Sequence, residues 1–399
     1  MPGTPRQAII KLSMGQNRVK APLRVCYFGT YRQNYGRNQI MIAGLRAQGA
    51  TVYECHATLW QGIEDRVQQV RGGFFSPRFW GRLLRTYWRL LRRHRNTPEY
   101  DAMIIGYPGP FDAFLGRLLS WRRRRPMLLD HYMSLYLIAL ERGLVSPASP
   151  KGRLLRFVEG LGLRLPDGLI SDTAEYVDYH CRTYGLQPER FALVPAGADE
   201  RLYYPRSDLQ PPQDCLRVTY YGTFIPNHGV PAMVAAAALL KEQRQIYFDF
   251  YGEGPDLQAA RAVAAAQSLA NVRFHGWVAK EELPGIMAQS HVCLGVFGVT
   301  LQSTMTVQNK IWEAAAMARA IVTGDSPTMR ATFSHGEELL LVERDNPQAI
   351  ADAVLTLAGD PELCAALGQA AYRRFIQDNS TAALGAALLQ AVDSHVRDQ

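Results

Sequence analysis

Long apolar runs, paired cysteines and the common phosphate and metal motifs are all missing from this sequence. No stretch approaches 18 uncharged apolar residues, which excludes a membrane-spanning helix, and residues 1–22 are polar and basic without the apolar run of a signal peptide. The six cysteines (Cys26, Cys55, Cys181, Cys215, Cys293, Cys364) stand singly, mostly inside apolar runs such as RVCYFG and HVCLGVFG. They read as buried free thiols of a reducing compartment, and the expected location is cytoplasmic, with a peripheral attachment to the inner face of the membrane. There is no G-x-x-x-x-G-K-[ST] loop, and no G-x-G-x-x-G follows the first strand of either half, so nucleoside triphosphate and nicotinamide chemistry lose their usual signatures. Neither D-x-D nor a His/Cys cluster occurs at ligand spacing, so neither metal nor other cofactor is expected. No repeat or low-complexity tract and no recognised nucleic-acid motif is visible.

What is present is a globular composition, 47% hydrophobic and 20% charged, over 399 residues, a length that calls for two or more domains. From Leu23 onward, short β-rich runs alternate with helical periods: LRVCYFG, a helix over 36–49, TVYECHA, then YDAMIIGYP, PMLLDHY, DGLISDT and RFALVPAGAD. Residues 205–214 have linker composition, and the alternation restarts at LRVTYYGTF (216–224). Continuous apolar strands separated by helices imply parallel sheets covered on both faces. The expected fold is α/β: two Rossmann-like domains, 23–204 and 215–378, whose sheets face a central cleft. The linker is 205–214, residues 1–22 form a disordered segment, and a helix over 379–399 returns to the first domain. Ligands of such sheets bind beyond the strand carboxyl ends, so the cleft is the expected site.

Two segments after second-half strands carry candidate chemistry. GTFIPNHGV (222–230) sets Asn227 and His228 on a loop opening a helix, where free backbone N–H groups favour an anion. FGVTLQSTMTVQNK (297–310) leads to another helix start with Lys310 in an early turn, an unfavourable place for a cation unless a negative group is near. That group is either Glu313, three residues on, or a ligand phosphate. YGEGP (251–255) offers G-x-G after a strand, equally consistent with a tight turn.

The ordered series GTFIPNHGV, YGEGP, NVRFHGWV, HVCLGVFG, NKIWEAAAMARAIVTGDS and LVERDNPQAIADAV resembles glycosyltransferase family 4, the retaining nucleotide-sugar enzymes of GT-B fold. GTYRQNYGRN, IIGYPGPFD, LLDHYMSLY, GLISDTAEYVDYH and LVPAGADERLYYP resemble that family's acceptor-domain segments. The resemblance implies a metal-independent hexosyltransferase whose partners are a nucleotide-diphosphate sugar and a sugar or lipid-linked acceptor, as in polysaccharide biosynthesis. Glu313 would accept hydrogen bonds from the ribose hydroxyls, a task a carboxylate can do for two vicinal groups at once. Lys310 and His228 would face the diphosphate. Gly222 and Thr223 would lie beside the phosphates, Gly298, Val299 and Thr300 near sugar and diphosphate, and Val278 near the base. Asn227, Gly252, Glu253 and Asn309 complete the expected donor side.

Met305 stands where many members carry a second glutamate, His228 stands for a usual lysine, Gln302 is neutral, and Leu137 and Ile138 replace polar residues. On the first domain His131 is expected at a strand end facing the sugar, Asp130 is the alternative cleft contact, and Arg37 and Asn38 are candidates for an anionic acceptor. Residues 76–95 combine an apolar stripe (Phe79, Leu83, Leu84, Tyr87, Leu90, Leu91), flanking Trp80 and Trp88, and seven arginines without an acid. That is the composition of a helix drawn to an anionic membrane surface. A nucleotide-sugar binder without activity and a sugar-nucleotide epimerase remain as alternative readings.

Overall fold

The structure is a computed structural model and describes residues 22–59 and 77–397. The expected disordered segment lies outside these residues except for Pro22. The first domain runs β1 (Arg24–Gly29), α1 (Gly36–Ala47), β2 (Thr51–His56), α2 (Pro77–Arg95), β3 (Ala102–Ile105), α3 (Asp112–Arg123), β4 (Met127–Asp130), α4 (Leu135–Glu141), α5 (Pro150–Gly162), β5 (Gly168–Ser171), α6 (Ala174–Tyr184) and β6 (Phe191–Leu193). Its six strands pair in parallel in the order β2-β1-β3-β4-β5-β6.

β1 shows why the strands read as unbroken apolar runs. Val25 and Tyr27 point into one core and Cys26 and Phe28 into another, because successive side chains of a strand leave on opposite faces. The first core is closed by α1; the second takes in Leu90 of α2, Ala113 and Leu119 of α3, and Leu163 just past α5. A layer of helices therefore covers each face.

The second domain runs β7 (Leu216–Tyr221), α7 (Val230–Leu239), β8 (Ile246–Tyr251), α8 (Leu257–Ala266), β9 (Val272–Gly276), α9 (Leu283–Ala288), β10 (Val292–Leu294), α10 (Leu301–Met305), α11 (Asn309–Ala316), β11 (Ala320–Gly324), α12 (Pro327–Thr332), β12 (Leu340–Val342), α13 (Pro347–Gly359), α14 (Pro361–Arg374) and α15 (Thr381–Arg397). The parallel order is β12-β11-β10-β7-β8-β9. The strand order reverses between β1 and β3 in one sheet and between β7 and β10 in the other, and the loops leaving those strands form the crevices in which such sheets bind ligands.

α15 packs across the first domain. Its Gly385 lies so close to Gly44 of α1 that a Cβ built on either would fall 2.7 Å or less from the partner backbone. Gly168 of β5 likewise leaves room for His395. The chain between the sheets, 194–215, carries no helix or strand. All six cysteines are free, and Cys26, Cys55, Cys293 and Cys364 are buried.

Candidate functional site

The second-domain wall is built on β7 and α11. β7 ends in Tyr220 and Tyr221 and turns at Gly222 with φ +144°, where a Cβ would lie 2.8 Å from Lys310 Nζ. A side chain there would displace the ammonium, so the glycine keeps the pocket open. Lys310 is buried on the first turn of α11, its Nζ 3.4 Å from His228 Nδ1 and 4.3 Å from the Tyr220 ring centroid. Among the described residues no carboxylate lies within 4.0 Å of that Nζ. Burial drags its pKa down to about 7, with the charge of Glu313 opposing.

His228 lies beside Lys310, as expected of two groups on one side of the crevice, and its ring is held neutral in the unliganded protein. Its Nδ1 lies 2.7 Å from the Tyr220 hydroxyl, and burial together with Lys310 holds the ring well below its ordinary pKa. A neutral imidazole can accept from Lys310, whereas an imidazolium would repel it.

Glu313, one turn further along α11, points to a different part of the cleft. Its Oε2 accepts from the Tyr221 hydroxyl at 2.8 Å, and the Tyr203 hydroxyl lies against the same carboxylate. Burial raises its pKa, against the hydrogen bond from Tyr221 and the charges of Lys280 and Lys310. Lys310 and Glu313 are thus neighbours on one helix that form no ion pair with each other, the amine lying by His228 and Tyr220 and the carboxylate by Tyr221 and Tyr203.

The loops after β7 and β10 fix one another. Phe297 N–H donates to His228 O at 3.0 Å, and a Cβ on Gly298 would meet Pro226 O at 2.2 Å. Arg344 braces this junction by donating to the carbonyls of Gly298, Ser303, Gly324 and Asp325. Burial lowers its pKa to about 10, so it stays charged at neutral pH. Gly298 is buried, Thr300 half-buried and Val299 exposed, and Thr300 Oγ1 caps α10 by accepting from Ser303 N–H at 3.3 Å. Thr223 and Glu253 are exposed and Val278 half-buried. Gly252 packs against Gly222, where a Cβ would lie 1.9 Å from the Gly222 carbonyl. Among the described residues no cluster of three His, Cys, Asp or Glu side chains could hold a metal.

The first-domain wall departs from the sequence expectation at four residues. Arg37 is buried in a pair with Asp130 at 2.8 Å and also donates to Val194 O and Pro195 O, so its fork is filled and it is not an anion receptor. Asp130 is committed to that guanidinium and is not a cleft contact. Asn38 spends its amide on Tyr27, Arg32 and Tyr107. His131 has no exposed surface: it lies against His180, ring centroids 4.5 Å apart, with Nε2 3.4 Å from Glu159 Oε1. That contact is no ion pair, because burial drops the His131 pKa to about 3, and neither ring nitrogen makes a hydrogen bond. In each case a polar residue at a strand or helix end turned inward, which strand position alone does not reveal.

Of the groups that meet across the cleft, Asn227, Gln302 and Asn309 were singled out in the sequence, whereas Gln39, Tyr132, Glu141 and Lys280 were not. Tyr132 OH donates to Asn309 Oδ1 at 3.3 Å, and Lys280 Nζ to Gln39 Oε1 at 3.4 Å. Glu141, at the end of α4, accepts from Gln302 N–H at 2.7 Å and from Asn227 Nδ2 at 3.0 Å, so Asn227 is held by the other domain. Asp172, just past β5, is 4% exposed, its oxygens unpartnered, and burial lifts its pKa to about 7.

The departures from the family pattern meet here. Met305 is buried with Leu137 and Tyr176, its carbonyl accepts from Thr173 Oγ1 at 2.7 Å, and Gln302 Nε2 lies 3.0 Å from Met133 Sδ. An apolar residue on α10 and an apolar residue on α4 replace polar ones because they pack on each other between the domains.

Two six-stranded parallel sheets, each in its own domain and flanked by helices, define a GT-B architecture. A family described as "Glycosyl transferases group 1" matches residues 216–360, and one described as "Glycosyl transferase 4-like domain" matches 32–197. The two matches together take in most of the chain and every strand but β1, and the chain belongs to glycosyltransferase family 4.

Among curated relatives, a GDP-mannose-dependent alpha-(1-6)-phosphatidylinositol monomannoside mannosyltransferase of Mycobacterium tuberculosis is 27% identical over 194 residues, 47% of this chain and 48% of that protein. An alpha-maltose-1-phosphate synthase of Mycolicibacterium smegmatis is 26% identical over 250 residues, 57% of this chain and 62% of that protein. The chain thus spans about half to three fifths of the length of these relatives. Anabaena Alr3699/HepE in complex with UDP superposes with a TM-score of 0.65 at 14% identity, over 94% of this chain and 100% of that one. Sucrose-phosphate synthase (tll1590) from Thermosynechococcus elongatus gives 0.67 at 17% identity, over 95% and 100%. At these identities the likeness is one of fold.

Proposed function

We propose that this chain is a metal-independent, retaining hexosyltransferase that moves a sugar from a nucleotide-diphosphate sugar to a lipid-linked or polysaccharide acceptor. The observation that carries this reading is the pair on α11: among the described residues, a buried Lys310 amine without a carboxylate partner, one turn from a Glu313 carboxylate held by tyrosine hydroxyls and by no cation within ion-pair distance. A diphosphate satisfies the first and ribose hydroxyls the second. The UDP complex of the Anabaena neighbour and the GDP-mannose dependence of the mycobacterial relative support a donor of this class.

In the reaction, the bond from the anomeric carbon to the phosphate oxygen breaks as Lys310 meets the negative charge gathering on the leaving diphosphate. The acceptor hydroxyl bonds to that carbon on the same face, and its proton passes to the departing phosphate oxygen. Because the acceptor attacks on the face that the diphosphate leaves, configuration is retained without a protein nucleophile. The acceptor lies toward the first domain, with the basic helix over residues 76–95 turned to an anionic membrane surface.

Thermal shift with UDP-, GDP-, dTDP-, ADP- and CDP-sugars tests the donor reading: stabilisation by one of them that disappears in Glu313→Ala supports it, and no response to any sinks it. Transfer to an acceptor, rather than donor conversion without one, then separates a transferase from an epimerase.

A further inference from the structure

α2 carries two apolar stripes. Leu83, Thr86, Leu90 and His94 face the sheet, while Trp80, Leu84, Trp88 and Leu91 are exposed. The single apolar stripe expected from the sequence is therefore divided: Tyr87 and Leu90 pack inward, Leu83 is half-buried, and Leu84 and Leu91 face outward; nothing is described of Phe79's side chain. The spacing of the outward set, i, i+4, i+8, i+11, keeps it on one side of the helix.

The next helices on the same face of the sheet repeat the arrangement. α3 exposes Phe114, Leu118 and Trp121, the last at 71%, and α5 exposes Leu154, Phe157 and Leu161. α2 and α3 lie side by side, since Tyr87 OH donates to Asp112 Oδ1 at 3.1 Å and Arg123 donates to His94 O and Thr97 O. α5 ends against the start of α3, where a Cβ on Gly162 would meet Pro110 O at 2.4 Å. Ten large apolar side chains thus stand on the outside of one helical layer, at helical spacing on each member. Monomeric soluble proteins rarely leave so continuous an apolar surface uncovered.

Charge decides what covers it. α2 carries seven arginines, residues 112–125 carry five, and α5 carries Lys151, Arg153 and Arg156. The acids over the same stretches are Asp112 and Glu159, both buried beneath the layer. The outward side of the three helices is therefore cationic without an exposed acid, and Arg92 stacks on Trp88 at 4.6 Å. Tryptophan and leucine between arginines match the boundary between lipid headgroups and acyl chains, where rings sit at headgroup depth and guanidinium groups meet phosphates. A second copy would bring like charge against like, and a nucleic acid would leave the leucines without a partner.

We infer that the outer face formed by α2, α3 and α5 lies flat on an anionic lipid bilayer. The inference builds on the membrane-facing reading of residues 76–95 and widens it from one helix to a three-helix surface. α2 and α3 each follow a strand of the parallel sheet and begin on its carboxyl side, whereas α5 follows α4 and ends there, with Glu159 accepting from Leu135 N–H and Gly162 packed on Pro110. Trp80, Phe114 and Leu161 consequently stand toward the cleft, which opens beside the bilayer where a lipid-borne acceptor would lie.

The test uses the full chain with vesicles of pure phosphatidylcholine and vesicles containing about 30% phosphatidylglycerol, in about 0.1 M and about 0.5 M salt. Co-sedimentation is expected at least about tenfold stronger on the anionic vesicles, with a blue shift of tryptophan emission, and weakened about tenfold by the higher salt. The combined variant Trp121→Ser, Leu118→Ser, Phe157→Ser leaves α2 and the nucleotide site untouched, and it should lose about tenfold of vesicle affinity while keeping its melting temperature and its response to nucleotide sugar.

Wild-type protein that ignores anionic vesicles overturns the inference, as does a variant that binds them as well as wild type. Dimerisation in place of vesicle binding, abolished by the same variant, would give the face to a second copy; binding to RNA alone would give it to nucleic acid. A nucleotide-sugar response in protein that fails on vesicles leaves the donor reading standing, and the reverse result leaves the surface standing.

Discussion

Replacing Lys310 by methionine separates ligand binding from folding by the sign of its two effects. Held at about 7 against 10.5 for a free lysine, the buried ammonium weakens the unliganded fold by about 4 kcal/mol at pH 7, taking about 1.4 kcal/mol for each pH unit of displacement. A lysine whose folded pKa is depressed binds fewer protons folded than unfolded, so this penalty is complete below pH 7 and fades as pH rises from 7 to 10.5. Lys310→Met removes it, and the unliganded variant should melt several degrees above wild type at pH 6.5, with the gap narrowing by pH 9. With ligand the sign reverses, because a unit charge about 4 Å from a phosphate in a partly shielded pocket is worth about 4 kcal/mol. Affinity for the nucleotide sugar should fall by about two to three decades. In wild type, ligand binding above pH 7 must draw a proton onto Lys310, so affinity should fall as pH rises above 7, whereas the methionine variant should show no such slope. Calorimetric melting and titration at three pH values read both quantities. A variant that loses stability and keeps its nucleotide response would refute the assignment of Lys310 as an unpaired buried charge waiting for an anion.

Three further outcomes follow from the same geometry. Glu313→Ala should raise the KM for donor by about 10- to 100-fold through loss of the ribose contacts while the acceptor KM stays near wild type; equal changes in both would mean a structural role. Met305→Glu restores the residue type that many relatives carry at this position, yet it buries a carboxylate against Leu137 and Tyr176. It should cost about 2 to 4 kcal/mol in urea unfolding, and an unchanged midpoint would show that the domains do not clasp there. Asp172→Asn should stabilise the protein, more at pH 8 than at pH 5: the carboxyl titrates near 7 when folded and 3.8 when not, so its penalty begins as pH passes 3.8 and is complete above 7. A gain that ignores pH would contradict that origin.

The sequence by itself determined the two sheets, their parallel sense, the loops that carry Gly222, His228 and Gly298, and the helix start that carries Lys310. Those properties are local: apolar runs of strand length, helical periods between them, and glycines where the chain must turn at a strand end. It also marked Lys310 and Glu313, because a cation early in a helix needs an explanation within a few residues. The tertiary structure decided which polar residues look outward. Arg37, Asn38, Asp130 and His131 sit at strand and helix ends like any site residue, yet they turn inward onto partners distant in sequence, such as Val194 for Arg37 and Glu159 for His131. Glu141 and Asp172 gained their importance only when α4 and β5 came to the cleft. Met305 and Leu137 each read as a departure from a pattern, and together they are a contact between domains, since two apolar residues far apart in the chain are stable at a crevice only when they cover each other.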